Sequence, residues 1–219
     1  MLSIVIPTLN AGLTLGDCLS ALDECRDEVI VADGGSLDAT IAIAERAGVR
    51  LIAVPRGRGA QLRAGAEAAR GDWLLFLHAD TRLGGGWREA VAEHIANHPR
   101  KAACFGFRLD DDARRARLVE RGVALRVRLL GLPYGDQGLL ISRALYDEVG
   151  GYRALPLMED VDLVRRVGRR RFLTLRALAV TSANRWRQDG WARRSAKNLA
   201  CLLLYRLGVS PARIARLYD

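Results

Sequence analysis

The residues best suited to chemistry are carboxylates that close apolar runs. Trp73-Leu74-Leu75-Phe76-Leu77 is five large apolar residues in a row, broken at once by His78-Ala79-Asp80. Such a run reads as a strand buried on both faces, in the middle of a parallel sheet. In open α/β sheets, ligands gather beyond the carboxyl ends of the strands. A carboxylate there can hold a divalent cation through hard oxygen contacts, and Asp80 has that position; a plain turn residue is the alternative. Asp33 closes a second apolar run ahead of Gly34-Gly35-Ser36 and could accept a hydrogen bond from a base or ribose. Asp160, with Glu159 beside it, follows a loop from a distant part of the chain. A carboxylate base can take the proton of an attacking hydroxyl if it lies within hydrogen-bond reach. The three acids serve one reaction only if they converge on one crevice.

Positioning them falls to a regular alternation of strands and helices. Residues 2–6 form a strand, closed by the turn formers Pro7-Thr8-Leu9-Asn10-Ala11-Gly12. Thr14 with Asp17 has the form of a capping box that starts a helix. A strand over residues 28–32, a helix over 38–47 stopped by Gly48, a strand over 50–54 and an Ala-rich helix to residue 70 follow. This order predicts a parallel, right-handed α/β sheet for the first 80 residues. The second half is less regular. A helix over 87–97 precedes a strand over 102–109, whose apolar and basic mixture suits a place nearer the sheet edge. Asp110-Asp111-Asp112 opens an Arg-studded helix to about residue 130, the acids favoured by the macrodipole. A Gly-flanked loop, Gly135-Asp136-Gln137-Gly138, leads into a strand over 139–142. A strand region over 172–181 and two helices finish the chain, the last with Ser210 as N-cap and Pro211 at its first position.

With 219 residues and 50% hydrophobic content the chain can bury one sizeable core, so one domain spanning 1–219 is expected. Its net charge of +9 calls for an anionic partner: nucleic acid, a phosphorylated substrate or an acidic membrane surface. Cys18, Cys25, Cys104 and Cys201 have no metal-type spacing and read as buried thiols in a reducing compartment. Met1 runs almost directly into a strand with no basic leader or cleavage site, which gives no sign of export. The apolar run 199–205 falls far short of the roughly 20 residues that span a bilayer. The expected location is cytoplasmic, with peripheral contact to the inner membrane face among the options. Within residues 193–206, Arg193, Arg194 and Lys197 precede Leu199, Leu202, Leu203 and Leu204. Such a basic amphipathic helix can lie on an anionic bilayer, pack on the sheet or form a homodimer.

Taken together, several segments carry a resemblance. Ser3-Ile4-Val5-Ile6-Pro7-Thr8-Leu9-Asn10, residues 29–40 and residues 74–80 resemble, in order, the signatures of family 2 glycosyltransferases with the GT-A fold. Gly150-Gly151-Tyr152 followed by Glu159-Asp160-Val161-Asp162-Leu163 resembles that family's "GGF…ED" segment. More narrowly, His78-Ala79-Asp80, residues 135–138 and the Leu-rich C-terminus resemble a bacterial subgroup labelled arsenosugar-biosynthesis-type. The resemblance implies one mixed, mainly parallel sheet flanked by helices, with C-terminal helices at the end. It divides the chain into a nucleotide-binding half (1–100), an acceptor-binding half (101–186) and C-terminal helices (187–219). It also implies transfer of a sugar from a nucleotide-diphosphate sugar, with UDP favoured, to an unknown acceptor hydroxyl, with inversion.

Residue by residue, the resemblance has Pro7, Thr8, Leu9 and Asn10 lining the nucleotide pocket and Asp33 contacting the base. By position, His78, Ala79, Arg58 and Gln61 lie near the same rim, where Arg58 could pair with phosphate or be a solvated loop charge. Asp80 matches the last acid of the family's DxD motif, the ligand of Mn2+ or Mg2+. Asp160 matches the catalytic base, with Glu159 beside it. Asp136 and Gln137 suit acceptor contacts, and Arg185-Trp186 resembles the end of the QxxRW motif that binds acceptor or diphosphate. Two departures stand out: His78 replaces the first DxD acid, and Ser182 replaces the glutamine. Competing classes are nucleotidyl transfer, nucleic-acid binding and a catalytically silent nucleotide-sugar scaffold. The first wants a basic phosphate loop after the first strand, yet no Lys or Arg occurs before Arg26. The second predicts tight, salt-dependent binding, and no nucleic-acid partner is expected here.

Overall fold

The apolar runs fold into strands of one sheet, and the segments between them supply helices that cover both its faces. The computed structural model describes residues 1–22 and 28–218, so Cys25 lies outside the described residues. The first half runs β1 (Leu2–Thr8), α1 (Leu15–Ser20), β2 (Glu28–Asp33), α2 (Thr40–Arg46), β3 (Arg50–Ala53), α3 (Arg58–Ala68), β4 (Trp73–Phe76), β5 (Thr81–Leu83) and α4 (Trp87–Asn97). The second runs β6 (Ala102–Leu109), α5 (Arg114–Leu130), β7 (Leu139–Ser142), α6 (Arg143–Glu148), α7 (Glu159–Val167), β8 (Phe172–Thr181), α8 (Asn184–Asp189), α9 (Trp191–Arg206) and α10 (Pro211–Tyr218). Strand order is β3-β2-β1-β4-β7-β6-β8-β5. The parallel pairing expected for the first 80 residues forms, in the order β3-β2-β1-β4. Beyond it β7 runs antiparallel to β4 and β6, so the sheet is mixed.

Side chains alternate across a strand, so one apolar run feeds two cores. Ile4 and Ile6 of β1 and Leu75 of β4 enter one core with Leu15 and Leu19 of α1 and Trp87 of α4. Val5, Leu74 and Phe76 enter the other, with Leu62 of α3 and Leu163 of α7. Full burial of each large aliphatic side chain contributes about 1.5–3 kcal/mol, which is why these runs claim the sheet centre. Close approach matters on the second face. A Cβ on Gly65 would meet Val5 Cγ1 at 2.2 Å, so this glycine lets α3 lie directly on β1. The helix that lies there carries Arg58 and Gln61 to the carboxyl rim.

Several local expectations change. The capping box does not form: no side-chain hydrogen bond caps α1, and the Thr14 hydroxyl donates to the Ala11 carbonyl at 3.4 Å. β6 is interior, between β7 and β8, because its first half (Ala102 to Phe105) is fully apolar and buried. Only Arg108, near the far end, is exposed. α5 begins at Arg114, after the acidic triplet rather than with it. Asp110 accepts from the Ala183 amide at 2.6 Å and Asp111 pairs with Arg187 at 2.9 Å, so the triplet anchors α8 to the sheet. α8 itself, and the short β5 that pairs with β8, are additions to the expected elements. Three helices, not two, therefore follow β8.

Candidate active site

Strands β1, β2 and β4 all end on one rim, and turn chemistry shapes what lies beyond. Asp33 ends β2 beside Thr8 of β1. Its carboxylate accepts from the Thr8 hydroxyl at 2.9 Å, the Ser36 hydroxyl at 2.5 Å, and the Gly35 and Ser36 amides at 2.9 and 2.8 Å. Burial works against the charge, but these four donors hold the carboxyl below its usual range. Asn10 takes a left-handed φ of 51° and its side chain accepts from the Leu37 amide at 2.9 Å. Gln61, reaching down from α3, donates to the carbonyls of Thr8 and Ala32 at 2.6 and 2.9 Å. Asp33 and Gln61 thus lock the ends of β1 and β2 together.

After β4 the chain makes a tight turn, with the Thr81 amide donating to the His78 carbonyl at 3.1 Å. The Ser182 amide, just past β8, donates to the Asp80 carbonyl at 3.0 Å. Asp80 is fixed there at the meeting of two clefts. One, of about 1530 Å³, is lined by Pro7, Thr8, Leu9, Asn10, Gln61 and Ala79 among others. The other, of about 740 Å³, is lined by Tyr134, Asp136, Met158, Asp160, Thr181 and Trp186 among others. Arg58, His78, Asp80, Ser182 and Arg185 line both.

Asp160 reaches the second cleft from the first turn of α7. Met158 precedes it with a left-handed φ of 65°, a costly conformation for a side chain of this kind and one that redirects the chain into the helix. Asp160 Oδ2 accepts from the Gly135 amide at 2.9 Å and Oδ1 from the Val161 amide at 2.7 Å. Each oxygen keeps lone-pair capacity for a further donor. Neighbouring Glu159 points the other way, buried in an ion pair with Arg58. Burial lifts the Glu159 carboxyl above its ordinary range, against the opposing pull of Arg58. Asp136 faces the cleft with Oδ1 buried and unpartnered. Burial pushes its carboxyl up to about 6; Arg126 opposes this, and Asp160 and Asp80 add to it. His78 is held well below its usual value by burial and by the cations Arg58 and Arg185, so its imidazole is neutral. The indole nitrogen of Trp186 is likewise buried without a partner.

A model of the family described as glycosyl transferase family 2 matches residues 3–155. The chain belongs to that family. A "PGL/p-HBAD biosynthesis glycosyltransferase" of Mycobacterium bovis is 41% identical over 93 residues, covering 38% of this chain and 36% of the relative. A "Lipopolysaccharide core biosynthesis glycosyltransferase LpsC" of Rhizobium meliloti is 34% identical over 101 residues, covering 43% and 37%. The chain thus matches little more than a third of these relatives' length. Among solved structures, S. aureus TarS 1-349 in complex with UDP has a TM-score of 0.63 at 18% identity, covering 83% of this chain and 61% of that one. Glucosyl-3-phosphoglycerate synthase from Mycobacterium tuberculosis, with Mn2+, UDP and glucosyl-3-phosphoglycerate, has a TM-score of 0.56 at 22% identity, covering 83% and 70%. Both carry the GT-A architecture described above.

In this family 2 chain Asp80, Asp136 and Asp160 share one cleft, with Arg185 and Trp186 on its wall. Pro7, Thr8, Leu9, Asn10 and Ala79 line the other. Asp33 and Glu159 line neither, being consumed by their own partners. Gln137 is also turned inward, donating to the Phe105 carbonyl at 3.2 Å. Among the described residues no group of three or more His, Cys, Asp or Glu side chains has a metal-holding arrangement. A cation at Asp80 would take most of its ligands from a bound molecule, and the position suits that: a carboxylate lining both clefts. Tyr134, Met158 and the α9 side chains Arg194, Asn198 and Cys201 also line the acid cleft. The spacing of the last three, four and then three residues, is the inner face of a helix and was open to reading in the sequence.

Proposed function

We propose that this protein transfers a sugar from a nucleotide-diphosphate sugar to an acceptor hydroxyl, with inversion. The observation that carries this reading is the pair of clefts sharing Asp80: one built from backbone-rich loops, the other from acids. The donor nucleotide lies in the first, against Pro7 to Asn10, with Asp33 and Gln61 stiffening its wall from behind. UDP is the favoured nucleotide, since TarS and glucosyl-3-phosphoglycerate synthase were crystallised with it, the latter also with Mn2+. Arg58 and Arg185, which line both clefts, face the diphosphate. Asp80 would hold Mn2+ or Mg2+, which when bound neutralises charge on the leaving diphosphate.

The acceptor enters the second cleft. Asp160 takes the proton from its hydroxyl as the oxygen forms the new bond and the diphosphate departs with the electrons of the old one. Asp136 and the Trp186 indole, both with buried unpartnered polar atoms, orient the acceptor's other polar groups. The lipopolysaccharide core biosynthesis named for one relative supports an acceptor with a partly apolar body. The resemblance to the arsenosugar-biosynthesis-type subgroup rests on residues 78–80 and 135–138 with the Leu-rich C-terminus, and has no support beyond them.

The test is Asp160→Asn. It should abolish transfer while UDP binding, followed by calorimetry, stays within about threefold of the parent, since the amide keeps the shape but cannot take a proton. Near-parental turnover in that variant would remove Asp160 from the reaction. Asp80→Ala should instead weaken Mn2+-dependent UDP binding, and an unchanged titration would remove the metal role.

A further inference from the structure

Among the described residues, two helices turn leucines outward to solvent. On α5, Leu118, Leu125 and Leu129 are each more than half exposed, and so are Leu199 and Leu203 on α9. Their spacing of seven and four residues sets each group along one helix face. Packing is satisfied from the opposite side, through Ala116 and Val123 of α5 and Cys201 and Leu202 of α9. The two helices approach each other at their starts. Arg115, near the start of α5, stands 5.5 Å over the ring of Trp191 at the start of α9. Leu132, just past the end of α5, belongs to the same buried cluster as Cys201 and Leu202.

Charge decides what such a face can meet. Residues 114–130 contain six arginines and one acid, Glu120, which is paired with Arg117 at 2.7 Å. Residues 191–218 contain six Lys and Arg and no acid. Arg114, Arg121 and Arg128 on α5, and Arg193 and Arg206 on α9, are exposed among the leucines. A second copy of the chain would bring the same cations, setting arginine against arginine. A nucleic acid would meet the charge but leave the leucines in water. An anionic bilayer meets both, with leucines in the acyl boundary and arginines at lipid phosphates. Among the described residues no helix is long and apolar enough to cross a membrane.

We propose that the outward faces of α5 and α9 together form a docking surface for an anionic lipid bilayer, on which the protein lies without crossing it. The inference goes beyond sugar transfer and does not depend on it. It is tested by co-sedimentation of the full chain with vesicles of phosphatidylcholine alone, or of equal parts phosphatidylcholine and phosphatidylglycerol. Binding to the mixed vesicles should exceed binding to the neutral ones by at least about tenfold and should fall as salt is raised. Leu125→Gln with Leu203→Gln, and separately Arg121→Glu with Arg128→Glu, should each weaken binding by at least about tenfold with melting unchanged, since all four residues are exposed. Equal binding to both vesicle types, no binding to either, or parental binding in both variants overturns the proposal. A dimer in light scattering that the leucine variant dissolves, with no vesicle binding by the parent, also overturns it and gives the face to a second copy.

Discussion

The imidazole of His78 fills the space that a side chain at residue 135 would need: a Cβ on Gly135 would lie 2.5 Å from His78 Nε2. The same Gly135 donates its amide to Asp160 at 2.9 Å. The histidine that replaces the first acid of the DxD pattern is thus packed against the backbone that orients the proposed base. This contact carries the first prediction. Gly135→Ala should lower transfer on the order of a hundredfold, the cost of displacing a reacting group by about an ångström. UDP affinity should hardly move. Adding His78→Ala to Gly135→Ala makes room for the methyl group and should recover part of the loss. A double variant no better than the single one would show that the packing is not what orients Asp160.

The buried ion pair of Arg58 and Glu159 links α3 to α7 and therefore joins the two clefts. Removing one partner from a buried pair strands the other's charge. Glu159→Gln should destabilise the fold by on the order of 2–4 kcal/mol in urea denaturation, discounted because Arg58 is a third exposed. Replacing both, Arg58→Met with Glu159→Leu, should restore much of that stability while UDP affinity stays low. A small effect in the single variant would mean that water already shares the pair.

Asp136 supplies the pH dependence. Its carboxyl is raised from its ordinary 3.8 to about 6, so the folded state holds a proton that the unfolded chain gives up sooner. Stability tied to this group is full below about pH 4 and is lost as the pH rises through about 6. Asp136→Asn should raise the melting temperature near pH 8, by on the order of 1–3 kcal/mol in stability, and change little near pH 4. An effect that is equal at both pH values would place its origin in shape rather than charge.

Four donors hold the Asp33 carboxylate in the free protein, and in the proposed reading it braces the nucleotide loop. Asp33→Asn keeps one acceptor oxygen for four donors, so the free protein itself should lose on the order of 1–3 kcal/mol. Weaker UDP binding with unchanged melting of the free protein would instead indicate direct contact with the base.

By itself the amino-acid sequence determined that the strands of the first 80 residues pair in parallel and the places where those strands stop. These follow from local causes: unbroken apolar runs demand burial on both faces, and turn formers end them at one rim. What each acid does once there was decided only by the fold. Asp33, Asp80 and Glu159 look alike as carboxylates at element ends, yet Asp33 is consumed by four donors and Glu159 by an arginine 101 positions away, while Asp80 stays open to both clefts. The apolar and basic mixture of β6 likewise suited a place nearer the sheet edge, but the neighbours that enclose it, β7 and β8, come from later in the chain. The outward leucines of α5 follow the same rule. A helical stripe of apolar residues shows that one face can be buried, and only the positions of every other element show whether anything in the chain covers it.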